Sequence, residues 1–160
     1  MVITLLIGIT IFSCKKIEEF SEIPEITFKD FILVDTLDKI GNKIKHGELI
    51  FDFIDGDGDI GIEVPDSINN SDTSNLFFTL YKKIDGDFVE VDTETPIEYR
   101  IPFMEPKGQN KTLKGEIKIE FEYYLNFEYD TIKYEFYLVD RAKHKSNIES
   151  TPEISFLTDD

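Results

Sequence analysis

Tryptophan is absent from this chain of 160 residues, methionine and histidine occur twice each, and there is one cysteine, Cys14. A single cysteine excludes an internal disulfide and every zinc site built on paired cysteines. The two histidines, His46 and His144, each stand beside lysines in segments that read as exposed turns, and neither has a partner at metal-ligand spacing. No nucleophile elbow, phosphate loop or dinucleotide fingerprint occurs. Basic residues are also scarce: 17 Lys and Arg face 33 Asp and Glu, a formal charge of −16. Such a field repels phosphate backbones, so no nucleic-acid partner is expected. It also disfavours a direct electrostatic grip on anionic lipid, and leaves cations, basic partners or plain solubility.

Fourteen Phe, seven Tyr and many Ile supply the apolar share, and hydrophobic residues make up 41% of the chain. Aromatic and β-branched side chains suit a pleated, half-buried surface better than a helix. The length fits one ordinary domain. Composition therefore points to one all-β domain.

Val2 to Phe12 is an unbroken weakly polar-to-apolar run that stops at Ser13-Cys14, with Lys15 and Lys16 directly after. A spanning helix needs about 20 apolar residues, so this run is too short to cross a bilayer alone. A short apolar core, a small residue and then Cys resembles the lipobox of bacterial lipoproteins. That resemblance implies a signal peptide over 1–13 and lipidation of Cys14, with several acyl chains giving stable anchoring. The alternatives are an uncleaved anchor or a buried N-terminal strand. Residues 14–24 read as a charged, aperiodic tether. The folded domain is expected over 25–160.

Strand signals fill that domain. Ile26, Phe28, Phe31 and Leu33 form a first strand with a kink near Asp30, and Gly41-Asn42 marks a turn. Leu49, Phe51 and Phe53 alternate with Ile50, Asp52 and Ile54. Phe77 to Tyr81, Asp85-Gly86 and Phe88 to Val91 read as a hairpin on a type I′ turn. Ile97 to Phe103 is a short strand that Pro96 and Pro102 confine to an edge. Pro65 to Asn75 reads as a surface loop and Gly108 to Asn110 as a turn. Ile117 to Tyr123 and Ile132 to Leu138 alternate apolar and polar, and Ile148 to Phe156 closes the chain. Seven or eight short strands predict a single antiparallel, immunoglobulin-like β-sandwich. Tyr123, Tyr124, Phe127 and Tyr129 cluster after the penultimate long strand, and are read as an aromatic corner of the core in preference to a binding patch.

Two segments carry chemistry. In Asp55-Gly56-Asp57-Gly58-Asp59-Ile60-Gly61, three carboxylates stand at alternate positions among glycines. Calcium takes six to eight oxygens, and its loops use this alternation. The spacing is not that of an EF-hand, because Ile60 occupies the sixth position where a glycine is needed. Two readings stand: a calcium site on a sandwich loop, or a tight turn made of good turn formers. The second segment, Val139 to Asn147, resembles the D-x-A-G-N-x-S run in the last strands of bacterial immunoglobulin-like and fibronectin-like domains, with Lys143 and His144 in place of Gly-Asn. If its loop shares an end of the sandwich with the aspartates, Asp140 joins Asp55, Asp57 and Asp59 as a metal ligand.

Taken together, the Cys14 segment, the Asp-Gly loop and the late D-R-A-K-H-K-S-N run resemble small lipoproteins of Bacteroidetes. The resemblance implies an outer-membrane, lipid-anchored location in the cell envelope. The function expected is a non-catalytic binding or accessory module, stabilised by calcium if the loop binds it, with a protein or glycan partner. The alternatives are a structural subunit of an envelope complex and a hydrolase with an unrecognised carboxylate site.

Overall fold

The computed structural model describes residues 19–63, 74–106 and 111–157. The signal-peptide segment, Cys14, most of the loop expected over 65–75 and the turn expected at 108–110 lie outside these residues. Among the described residues the chain is all-β, with nine strands in two antiparallel sheets. The first sheet holds β1 (Glu25–Leu37), β2 (Lys43–Asp55) and β6 (Leu113–Tyr124), in the order β1-β2-β6. The second is built on β3 (Leu76–Ile84) and β7 (Thr131–Leu138). Two short strands, β4 (Asp87–Glu90) and β5 (Ile97–Tyr99), pair with β3. Two shorter ones, β8 (Glu149–Ser150) and β9 (Ile154–Ser155), pair with β7.

Alternation decides which side chains meet between the sheets. Leu49, Phe51 and Phe53 of β2 are buried together with Phe121 and Tyr123 of β6. Leu76, Phe78 and Leu80 of β3 and Ile132 to Leu138 of β7 bury every second residue in the same way. Aromatic rings join the two layers: Phe51 lies 5.2 Å from Phe136, and Phe121 lies 5.5 Å from Phe78 and 5.0 Å from Tyr134. In β1 the register shifts between Phe28 and Asp30. The extra residue resets the parity, so that Ile26 and Phe28 before it and Phe31 and Leu33 after it all pack against the core.

The β3–β4 hairpin forms on the expected turn. Asp85 and Gly86 have φ of 51° and 97°, the two positive values a type I′ turn requires. The stretch 148–156, expected as one strand, is two fragments. Pro152 lacks a ladder donor, and at Thr151 the side chain enters the pairing, its Oγ1 accepting from the Tyr134 amide at 3.0 Å. The strand expected over 97–103 pairs with β3 only over Ile97–Tyr99, and beyond it Pro102 forms an isolated parallel bridge with Ile62. His46, expected in a turn, lies within β2 opposite Glu122.

Candidate metal centre

The aspartate loop begins where β2 runs out of core. Leu49, Phe51 and Phe53 point inward, and period 2 puts the next inward position at Asp55, which is fully buried at 0% exposure. A carboxylate thus occupies a place where the strand pattern calls for a hydrophobe. Its Oδ2 accepts from the amides of Asp59 at 2.8 Å and Ile60 at 3.3 Å, which folds the loop back over the strand end. Asp55, Asp57 and Asp59 each present an oxygen within 4.8 Å of the others. Each also has a buried Oδ1 without a hydrogen-bond partner among the described residues.

Three like charges at such spacing repel, and burial strips Asp55 of water. Burial, with the charges of Asp57 and Asp59 adding to it, pushes the Asp55 carboxyl up to about 6. Burial followed by the charges of Asp140 and Asp57 likewise raises Asp59. Buried polar groups are ordinarily satisfied, so three neighbouring acceptors without donors mark this cluster as the candidate cation site. Hard oxygen donors at alternate positions suit calcium or magnesium, and among the described residues the cluster holds carboxylates alone, which suits softer metals less.

Asp140 arrives at the same end of the sandwich. The Arg141 amide donates to the Asp59 carbonyl at 3.3 Å and the Ala142 amide to Asp59 Oδ2 at 3.0 Å. The Asp140 carboxylate itself, 2% exposed, is held by His144. Its Oδ1 accepts from the His144 amide at 2.7 Å, and its Oδ2 lies 3.0 Å from His144 Nδ1. Both oxygens are therefore engaged, and the three-carboxylate cluster forms without Asp140. The Asp140 charge raises the His144 pKa, so this histidine is part of a clasp and not simply a solvated surface group. Lys143, which stands where the related run has Gly, adopts φ of 73°, so the turn keeps its left-handed residue without a glycine.

Three residues of the Val139–Asn147 run brace this end, in roles that the run by itself does not announce. Arg141 donates to the carbonyls of Gly61 at 2.9 Å and Ile60 at 3.4 Å, and lies over the Phe103 ring at 4.8 Å. Asn147 satisfies the open edge of β1, accepting from the Ile26 amide and donating to its carbonyl, both at 2.8 Å. Ser146 Oγ accepts from the Leu138 amide at 3.0 Å. One signal for Asp55 was legible, namely its inward parity in β2.

The aromatic cluster lies at the other end of β2. Tyr123 is buried, its hydroxyl 3.1 Å from that of Tyr134, and its ring meets Phe127 at 5.0 Å and Phe156 at 4.8 Å. Tyr123, Phe127 and Tyr129 form the expected corner of the core, whereas Tyr124 is 51% exposed and lines a cavity of about 650 Å³ with Leu37, Ile44 and Leu125. No protein family, curated protein or solved structure matches the chain.

Proposed function

We propose that this protein is a lipid-anchored, non-catalytic module of the cell envelope whose immunoglobulin-like domain is locked by a calcium ion held by Asp55, Asp57 and Asp59. The observation that carries the calcium reading is the buried, unpartnered oxygen on each of the three aspartates. A plain turn puts its carboxylates in water, where screening makes crowding cheap. Here one carboxylate takes a core position at the end of β2 and gains no compensating positive partner for its Oδ1. The sandwich reading is supported by two antiparallel sheets, three-stranded in the order β1-β2-β6 and six-stranded around β3 and β7, whose inward side chains share one core. Anchoring through Cys14 rests on the apolar run that precedes it and the lysines that follow.

The test is thermal unfolding of the full chain in detergent, in EDTA and then in calcium at 100 times its dissociation constant. A ligand at that excess stabilises by about 2.7 kcal/mol, which for a domain of this size raises Tm by on the order of 10 °C. Asp57→Asn removes that rise. An identical Tm in both buffers would leave the loop a turn and nothing more. Lipidation is checked separately, by the mass of the membrane-extracted protein and its loss in Cys14→Ser.

A further inference from the structure

The backbone that enters the domain from the N-terminal side runs directly across the aspartate loop. The Gly56 amide, in the peptide that joins it to Asp55, donates to the Ser21 carbonyl at 2.8 Å. A Cβ at Gly56 would run into the Phe20 and Ser21 carbonyl oxygens, so glycine here permits backbone to lie on backbone. The backbone of Glu22 approaches the His144 side chain that clasps Asp140. Pro24 is fully buried, and the Lys114 ammonium lies 5.8 Å from the Phe20 ring centre. Residues 20–24 are thus docked at three points, two of them on the loops that carry Asp55 to Asp59 and Asp140.

We infer that cation binding by Asp55, Asp57 and Asp59 and docking of residues 20–24 are one coupled event, so that the loaded site stiffens the junction between the domain and its N-terminal segment. The inference rests on the calcium reading above. Its physical basis is that Gly56 is shared. Asp55 and Asp57 flank it, and drawing their carboxylates onto one ion fixes the peptide that holds Ser21. Without the ion, mutual repulsion of the three carboxylates loosens the same peptide. Asp59 transmits the effect a second way, because its carboxylate and carbonyl accept from the Ala142 and Arg141 amides in the turn that carries His144. Coupling between two binding events is reciprocal, so undocking the segment must weaken the ion by the factor by which the ion strengthens docking.

The experiment is cleavage after Glu22 by a glutamate-specific protease, run on the full chain in detergent with EDTA or with 1 mM calcium, beside calorimetric titration of calcium. A docked segment cannot enter a protease cleft in extended form, so calcium is expected to slow cleavage after Glu22 at least tenfold. Gly56→Ala keeps all three carboxylates but drives the segment off; it is expected to abolish the protection and to weaken calcium by a matching factor. Asp57→Asn, which does not touch the segment, is expected to cleave at the calcium-free rate in both buffers. Tight calcium binding with an unchanged cleavage rate overturns the coupling and leaves the calcium reading standing. No calcium binding by the wild-type chain overturns both.

Discussion

The two ends of β2 solve the problem of closing a β-sandwich in opposite ways. β2 is thirteen residues long from Lys43 to Asp55, a span of about 40 Å at strand rise. At the far end the core is closed by rings: Tyr123, Phe127 and Phe156 stack edge and face, and the polar tips that must enter, the Tyr123 and Tyr134 hydroxyls, satisfy one another. Burial pushes the Tyr134 hydroxyl up to about 12, so it stays neutral at any physiological pH. At the near end the core is closed by carboxylates, one of them fully buried. The aromatic end is self-sufficient. On the calcium reading proposed above, the acidic end is completed by a cation, and its stability then depends on the solution, through cation and pH.

The largest effect expected is at the aromatic end. Phe121 touches the rings of Phe31, Phe78, Tyr99, Tyr123 and Tyr134. Phe121→Ala should cost about 3–5 kcal/mol, and urea unfolding should return the same cost in EDTA and in calcium. A cost that changes with calcium would show that the two ends are not independent.

Asp55→Asn should invert sign with the solution. In calcium it forfeits the bound-ion stabilisation, about 2.7 kcal/mol at a hundredfold excess. In EDTA it relieves a buried charge that the amide does not carry, and Tm should rise. If both buffers show the same loss, the carboxylate matters only for its two backbone hydrogen bonds.

The pH profile follows from the same group. Asp55 in the folded state titrates at about 6 against an ordinary value of 3.8. A raised carboxyl favours the folded state while protonated. That contribution is full below pH 3.8, falls as pH rises towards 6, and is gone above it. In EDTA, the difference between wild type and Asp55→Asn should therefore shift by roughly 1–3 kcal/mol against wild type between pH 4 and 7. With calcium the slope should reverse, because deprotonated carboxylates bind the ion. A wild-type curve parallel to that of Asp55→Asn in EDTA would remove Asp55 from the account.

The smallest effect is local to the β3–β4 turn, beside the aromatic end, where Lys82 lies over the Tyr129 ring. Gly86 holds φ of 97° with open space around it. Gly86→Ala should cost about 1–2 kcal/mol from the left-handed backbone alone, with no dependence on calcium. Chemical denaturation in the two buffers measures both points.

Much of the aromatic end was legible along the chain. Alternation in Leu49 to Phe53, Ile117 to Tyr123 and Ile132 to Leu138 marks inward faces, Asp85-Gly86 marks the hairpin, and the kink near Asp30 appears as a register shift. These signals are local, since period and turn chemistry are properties of neighbouring residues. Of the acidic end, the aspartates, the parity of Asp55 and the Val139–Asn147 run were legible, but not which of their atoms meet.

The amino-acid sequence by itself determined the all-β class, the inward faces of the long strands, the turn at Asp85-Gly86 and the presence of three aspartates in one short glycine loop. Only the tertiary structure decided that Asp140 is clasped by His144 beside the cluster, that Arg141 braces Ile60 and Gly61 from 80 residues away, and that residues 20–24 lie across Gly56. The reason is the range of the interactions. A strand's parity and a turn's φ angles are set within a few residues, whereas a hydrogen bond between loops depends on how two sheets stack and which loops that stacking brings to the same end.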